Sequence, residues 1–265
     1  MTPNIYPAMG PVNWLGLWTL VSKEVRRFLK VYFQTVFAPV VTTLLFLAVF
    51  ALALDGRAVQ MVNGVHLLEF LAPGLIMMTM VQNAFANSSS SLIMAKVQGN
   101  IIDVLMPPLS AGELVVGFAA GGVIRGLFVG LVVAASMAFF VPMHAPHPFF
   151  VIYHAIGASV MLSLLGMMGG IWADKFDHMA AVTNFVITPL SFLSGTFYTI
   201  DRLPDFFRAL ALGNPFFYMI DGFRYGMIGH ADGSLLAGAV YIGLVDMTLL
   251  FLSWRMFKRG YKLKA

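Results

Sequence analysis

Residues 114–140 read LVVGFAAGGVIRGLFVGLVVAASMAFF, 27 residues interrupted by one charge, Arg125. A helix rises about 1.5 Å per residue and a bilayer's hydrocarbon core is about 30 Å thick, so about 20 apolar residues cross it. This run is long enough, and a soluble helix would not be apolar all round. Five more runs qualify on either side of it: Val31–Leu54, Leu68–Leu92, Phe149–Trp172, Met179–Leu193 and Leu235–Phe257. Met179–Leu193 is the short one, ending near Pro189 and Ser194–Gly195. Ser194–Ser234 is apolar but broken by glycine, proline and charge. Irregular backbone survives at membrane depth only where protein or a water-filled cavity satisfies it. Residues 194–234 therefore read as an external, re-entrant segment of short helices. The expected fold class is all-α: a polytopic membrane protein with six transmembrane helices, forming one domain over residues 1–265.

Composition agrees. The chain has 265 residues, 59% hydrophobic and 11% charged, with mean hydropathy +0.84. Soluble domains carry about 25% charged residues. The deficit excludes a soluble enzyme, a disordered tail, a collagen and a disulfide scaffold. Net charge is +4, but the basic residues sit at the ends of apolar runs, which argues against nucleic-acid binding. There is no cysteine, so thiol chemistry, iron–sulfur clusters and Cys-based zinc sites are excluded.

Lysine and arginine set the expected orientation. One set of loops holds Lys23, Arg26, Arg27, Lys30, Lys96, Lys175, Arg255, Lys258, Arg259, Lys262 and Lys264. The alternate loops hold Arg57, Arg202, Arg208 and Arg224. The bias places the first set and both termini in the cytoplasm. Met1–Pro11 has no basic n-region followed by an apolar stretch, so the first span is expected to direct insertion.

Asn13–Lys30 reads as an amphipathic surface helix. Trp14, Leu17, Trp18, Val21, Val25, Phe28 and Leu29 recur at helical spacing, with Lys23, Arg26, Arg27 and Lys30 mainly opposite. It anchors at the headgroup level, alone or as a dock for a cytoplasmic partner. The loop 93–113 is the longest on that side. Pro107–Pro108 stops any helix, and Ser110 with Glu113 forms a capping box. Within it Ile101, Ile102 and Leu105 make an apolar side to a short helix, with Asp103 on the polar side, to be buried by its own bundle or by a partner.

Small and polar residues mark the spans. Gly117, Gly121, Gly122, Gly126 and Gly130 carry GxxxG spacings in the third span, and the fourth has Gly166 and Gly170. They allow close packing within the chain or between copies. Thr79, Gln82, Asn83, Asn87, Ser88, Ser90 and Ser91 form a polar stripe in the second span. It reads as helix–helix glue or as the wall of a translocation path. Arg125 and Asp246 lie deep, roughly 18 and 14 Å from the basic ends of their helices. Their similar depth suggests an intramembrane pair, the alternative being separate hydration.

Enzyme chemistry finds no motif. There is no phosphate-binding loop, no H-E-x-x-H, and His66, His144, His147, His154, His178 and His230 are dispersed. A serine protease would need a G-x-S-G context, which Gly157–Val160 and Ser194–Gly195 each leave incomplete.

Residues 189–229 read PLSFLSGTFYTIDRLPDFFRALALGNPFFYMIDGFRYGMIG. The break Phe192-Leu193-Ser194-Gly195, Leu203-Pro204, Asn214-Pro215-Phe216-Phe217-Tyr218, then Asp221 and Arg224, resemble the membrane subunit of a type-2 ABC exporter, related in fold to the G-subfamily. The family more often has Glu at Asp221. Locally, Pro204 suits a first helical turn, Gly213-Asn214-Pro215 a stop, and a second short amphipathic helix begins near Phe216. Asp221 and Arg224 stand at i, i+3, as a surface ion pair or a substrate contact.

The resemblance implies a non-catalytic half-transporter in a bacterial inner membrane. Two copies of the chain would join two copies of a separate ATP-binding subunit, which holds ATP and Mg; this chain would carry no cofactor and no metal. It implies docking of that subunit on the 13–30 helix and the 93–113 loop, through Arg26, Arg27, Lys96, Ile101, Ile102, Asp103 and Leu105, with Asp174–His178 as a minor contact. It implies a path at the dimer axis walled by Thr79, Gln82, Asn83 and Asn87, with Asn184, Thr188 and Phe192 from the fifth span. Asn214, Pro215, Tyr218, Asp221 and Arg224 would belong to the external helices. The cargo is expected to be amphipathic: a drug, a lipid or a glycan-like molecule. The rival classes are an ion-coupled carrier or channel using Arg125 and Asp246, and an assembly scaffold without transport.

Overall fold

A computed structural model describes residues 11–53, 61–62 and 65–263. Residues Met1–Gly10, Leu54, Arg57 and Lys264, on which parts of the reading above rest, lie outside the described residues. The chain is helical apart from a two-residue ladder, β1 (Met61–Val62) against β2 (Val65–His66), antiparallel with Met61 opposite His66.

Five helices are long and apolar enough to cross a membrane among the described residues. They are α2 (Ala38–Ala53, with the turn before it), α3 (Leu67–Val97), α5 (Ala111–Met137), α6 (Pro148–Trp172) and α11 (Leu235–Arg259). The remaining expected span is one unbroken helical run over 176–192: α7 (Phe176–Val182), a π-helical turn (Thr183–Ile187) and α8 (Thr188–Phe192). At about 1.5 Å per residue it is roughly 25 Å long, shorter than the others. A second π turn, Phe33–Phe37, leads into α2. Both π turns immediately precede a proline-bearing helix start, Pro39 and Pro189. Proline lacks an N–H and its ring crowds the carbonyl four residues back, which a widened turn relieves.

The central post is α3. Two-thirds of its span window is buried, 67%, against 22% for the α2 span and 17% for α11. It packs on α5, α6, α2 and α10 (Pro215–Ile228). The glycines make this close approach possible. A Cβ on Gly121 would lie 2.5 Å from the Glu24 Cβ, on Gly126 3.0 Å from the Ala84 Cβ, and on Gly170 2.8 Å from the Ser89 carbonyl oxygen. Gly122 faces the Ser88 and Ser163 hydroxyls, themselves 2.6 Å apart, so α3, α5 and α6 meet at one point. The glycine spacings thus serve packing within the chain.

A helix forms over the expected stretch, but the face it turns inward is not the apolar face read from the sequence. α1 (Trp14–Lys30) is capped by Asn13, whose side chain accepts from the Gly16 N–H at 2.9 Å. Ser110 and Glu113 make the capping box of α5, and Glu113 also accepts the Asn13 N–H at 2.5 Å, fastening the two helix starts together. α1 turns Leu20, Glu24 and Phe28 inward against α5, leaving Trp14 and Trp18 exposed.

The 194–234 segment holds a 3-10 turn (Ile200–Arg202), α9 (Asp205–Gly213) and α10. Asn214 is both the last cap of α9 and the first of α10. The second short helix expected near Phe216 is α10, and it is buried on more sides than one amphipathic face allows. α10 is inserted between α3, α6 and α11, with ten of its residues buried.

Candidate functional site

Two ends of the bundle carry the candidate residues. The basic end comprises α1, the 98–110 connection with its short helix α4 (Ile101–Leu105), the 173–175 turn and the last described residues. The far end comprises 138–147 and 193–234.

At the basic end the expected docking residues divide. Ile102 is 54% exposed, with Val97 (51%) and Met106 (75%) beside it, and Asp103 is exposed. Ile101 instead is buried in the main core and Leu105 is half-buried, so the apolar side of α4 is split between bundle and solvent. Lys96 is also turned inward. Its Nζ donates to the Ile171 and Ala173 carbonyls at 2.8 and 2.5 Å, capping the C-terminus of α6. Lys262 donates to the Trp172 carbonyl and to Asp174, at 3.0 and 2.9 Å. A cation at a helix C-terminus is favourable because the last carbonyls are unpaired and the dipole is negative there. The Lys262 hydrogen bond holds the Asp174 carboxyl below its ordinary range.

Arg26 is exposed on α1, whereas Arg27 reaches across to α3. The Arg27 guanidinium donates to the Asn87 carbonyl (2.6 Å), the Asn87 Oδ1 (3.0 Å) and the Ser90 hydroxyl (3.0 Å), and pairs with Glu24 at 3.0 Å. Glu24 is 0% exposed and also accepts the Ser91 hydroxyl at 2.6 Å. Sequence reasoning passed over Glu24; the signal was a lone acid on an otherwise basic helix.

The polar stripe of α3 is mostly consumed inside the chain. Thr79 meets Thr43 of α2 at 2.9 Å, Asn83 accepts from Arg125 at 3.0 Å, and Asn87 holds Arg27. All three are buried; Gln82 is half-exposed. In the single chain the stripe is glue between helices, and its open edge is Gln82, Ala86 and Ser90. The 176–192 run is the more open surface, with Asn184 exposed, Phe185 80% exposed and Thr188 half-buried. Phe192 stacks on Phe197 (5.5 Å), which stacks on Phe50 of α2 (5.3 Å).

The expected pair of Arg125 and Asp246 does not form. Arg125 leaves α5 toward α1 and α3, where it meets Asn83. Asp246 leaves α11 toward α6, in a groove with Tyr153 and Gly157, and its Oδ1 has no partner. Similar depth did not suffice, because the two side chains leave their helices toward different neighbours, α1 and α3 for Arg125 and α6 for Asp246.

Asp221 and Arg224 are likewise neither a surface pair nor an exposed contact. They are 3% and 1% exposed, and each bonds elsewhere. Asp221 accepts the Asp232 and Gly233 N–H groups at 2.7 and 3.0 Å. Arg224 donates to the Gly195 carbonyl at 2.6 Å and lies 3.9 Å over the Phe70 ring. Asn214 donates to the Leu190 carbonyl (2.8 Å) and the Ser194 hydroxyl (3.0 Å). Pro215 is the first residue of α10, and Tyr218 packs edge-on against Tyr241 of α11. These residues fasten the break after α8 to α3, α10 and α11.

A family model described as ABC-2 type transporter matches residues 16–228. The chain is 37% identical over 252 residues to the inner membrane transport permease YadH of Escherichia coli K12, across 95% of this chain and 98% of that protein. It is 24% identical to nodulation protein J of Sinorhizobium fredii, across 96% of each chain. Nodulation protein J of Rhizobium leguminosarum bv. trifolii is 27% identical, across 94% of each.

Proposed function

The chain belongs to the ABC-2 type transporter family, and from that premise we propose that it is the membrane subunit of an ATP-driven exporter. It is a multi-pass transport permease of the inner membrane. Two copies of the chain assemble with two copies of a separate ATP-binding subunit, which carries ATP and Mg. The basic end, with both termini, faces the cytoplasm, in keeping with the lysine and arginine bias. Cargo of amphipathic character, a drug, lipid or glycan-like molecule, moves outward by alternating access, which requires only that two states bind it differently.

The observation that carries this reading is the family match over 16–228, which takes in α1, α4, four of the five long spans and the α9–α10 insertion together. The exposed Val97, Ile102 and Met106 beside α4 supply a surface for the ATP-binding subunit. Full burial of a large aliphatic side chain contributes about 1.5–3 kcal/mol. The path runs at the axis of the two copies, along Gln82 and the open face of Asn184, Thr188 and Phe192.

The test is co-purification with the ATP-binding subunit. Ile102→Asp is expected to abolish the complex while leaving the melting temperature of the permease nearly unchanged. Ile101→Asp, which puts charge into the core, is expected to lower that temperature first. ATP hydrolysis by the isolated chain, or an Ile102→Asp permease that still assembles, counts against the reading.

A further inference from the structure

We propose that the cleft at the basic end, between α1, the foot of α2, α3 and α5, binds an anionic phosphate group carried on an organic molecule of the membrane or the adjoining solution. The cleft has a volume of about 850 Å³. Five cations line it: Lys23, Arg26, Arg27 and Lys30 from one stretch of α1, and Arg125 from the middle of α5. No carboxylate lines it among the described residues. Glu24 faces away, fully buried among Arg27, Asn87 and Ser91. Asp103 belongs to a neighbouring cleft, which it shares with Lys23 and Arg27.

Four of the cations are under-partnered; Arg27 is already held by Glu24, Asn87 and Ser90. Lys23, Arg26 and Lys30 make no ion pair among the described residues. Arg125 has one hydrogen bond, to Asn83, and the Nε atoms of Arg27 and Arg125 are buried with no acceptor. A membrane-embedded arginine is costly, by at least about 2.5–3.5 kcal/mol on insertion scales, and such residues usually pair or mark a site. Here its neighbours in the cleft repel it. An anion that accepts from several donors reverses that balance.

The chemistry selects phosphate. Guanidinium forks bind phosphate oxygens bidentately, and lysines add point charge. A single carboxylate would offset one of the four charges that Glu24 leaves unpaired, whereas a phosphate monoester carries up to two and offers three terminal acceptor oxygens. Gln34, Thr35 and Ser90 add polar groups at the rim, and Phe28, Val31 and Met94 give apolar walls beside the charged floor. A headgroup with an apolar tail fits both halves. This inference does not rest on the transport reading, since binding is measured on the chain itself.

The experiment uses the full-length chain in phosphatidylcholine nanodiscs, with binding read by native mass spectrometry. The probes are dioctanoyl phosphatidic acid, dioctanoyl phosphatidylcholine and glycerol 3-phosphate. One saturable site per chain is expected for phosphatidic acid and none for phosphatidylcholine. Comparable binding of glycerol 3-phosphate identifies a free organophosphate as a sufficient ligand; phosphatidic acid alone identifies a lipid headgroup. Arg125→Gln is expected to weaken binding at least tenfold and Arg125→Lys only a few-fold, which separates loss of charge from loss of fold. The triple variant K23Q/R26Q/K30Q should weaken it tenfold or more. K258Q/R259Q, which removes exposed charge from the end of α11, should leave it within twofold. Equal binding of both dioctanoyl lipids, unaltered binding in Arg125→Gln, or equal loss in K258Q/R259Q would each overturn the site.

Discussion

At the far end of the bundle, Arg224 and Asp221 are almost fully buried and their hydrogen bonds go to main chain: one guanidinium N–H to the Gly195 carbonyl, with Nε left unpartnered, and the Asp221 carboxylate to the Asp232 and Gly233 N–H groups. At the basic end, Glu24 is as deeply buried, but its partners are the side chains of Arg27, Ser91 and Asn87. A main-chain partner moves only if the backbone moves. A side-chain partner can rotate to another acceptor. The far end is thus built as a fixed lock on the break after α8. At the basic end only the Glu24 cluster linking α1 to α3 is exchangeable in this sense, beside an open cationic cleft; Arg27, Lys96 and Lys262 there also donate to main-chain carbonyls.

The sharpest way to break the comparison is Arg224→Ala. The change empties the space over Phe70 and leaves the Gly195 carbonyl without its donor. Large-to-small changes in cores cost about 2–5 kcal/mol, and an orphaned buried acceptor about 1–3 kcal/mol. A loss of about 3–5 kcal/mol is expected in equilibrium unfolding of the purified permease. Arg224→Lys should recover part of it, because an ammonium restores a donor but not the planar stack. A near-neutral Arg224→Ala would show that the far end is not locked by this residue.

Glu24→Gln comes next and should be milder. The amide keeps an acceptor for Ser91 and loses the charge facing Arg27, which still has Asn87 and Ser90. The expected cost is about 1–3 kcal/mol, in the same unfolding measurement. If it matches Arg224→Ala, the two ends are equally rigid and the proposed division fails.

Much of this arrangement was legible in the sequence, and the failures have one cause. The long runs, the Ser110 capping box and the Asn214-Pro215 junction follow from local chemistry, and local chemistry is written in neighbouring residues. The partners of Arg125, Asp246, Asp221, Arg224 and Lys96 are set by which way a side chain leaves its helix. Matched depth said nothing of azimuth, and i, i+3 spacing did not make Asp221 and Arg224 partners once α10 was buried on more than one side. The glycines of α5 read as internal packing, with a contact between copies not indicated by spacing alone, and Glu24 and Ala84 lie against them. Lys96 looked like a loop charge because nothing in its own stretch shows that the end of α6 lies beside it.

A smaller effect tests the basic end from outside. Asp174 is exposed and joins Lys96 and Lys262 at the end of α6. The hydrogen bond from Lys262 lowers its folded pKa, so its contribution is present above the ordinary carboxylate pKa of about 3.9 and is lost as pH falls through the folded value. Wild type should melt slightly higher than Asp174→Asn at pH 6, and the two should converge once pH falls below the lowered folded pKa. A gap that persists in acid would assign the effect to packing rather than charge. Being a surface pair, it should also shrink in high salt.

The smallest expected effect is an absence of coupling between Arg125 and Asp246. One faces the cationic cleft with α1 and α3, the other a groove of α6. Each single neutralisation has its own consequence: Arg125→Gln keeps a donor for Asn83 and relieves repulsion in the cleft, and Asp246→Asn removes a carboxylate with no hydrogen-bond partner on Oδ1. Because the sites share no partner, the double variant should equal the sum of the singles within about 0.3–0.5 kcal/mol. Stranding a buried ion by removing its partner costs about 3–5 kcal/mol, so a true pair would show a rescue far larger than that margin. Recovery of stability in the double variant would mean the two side chains find each other in the membrane, in a state where α5 or α11 has turned. That result would restore the pair as a moving part and make the basic end the more conformationally divided half of the molecule.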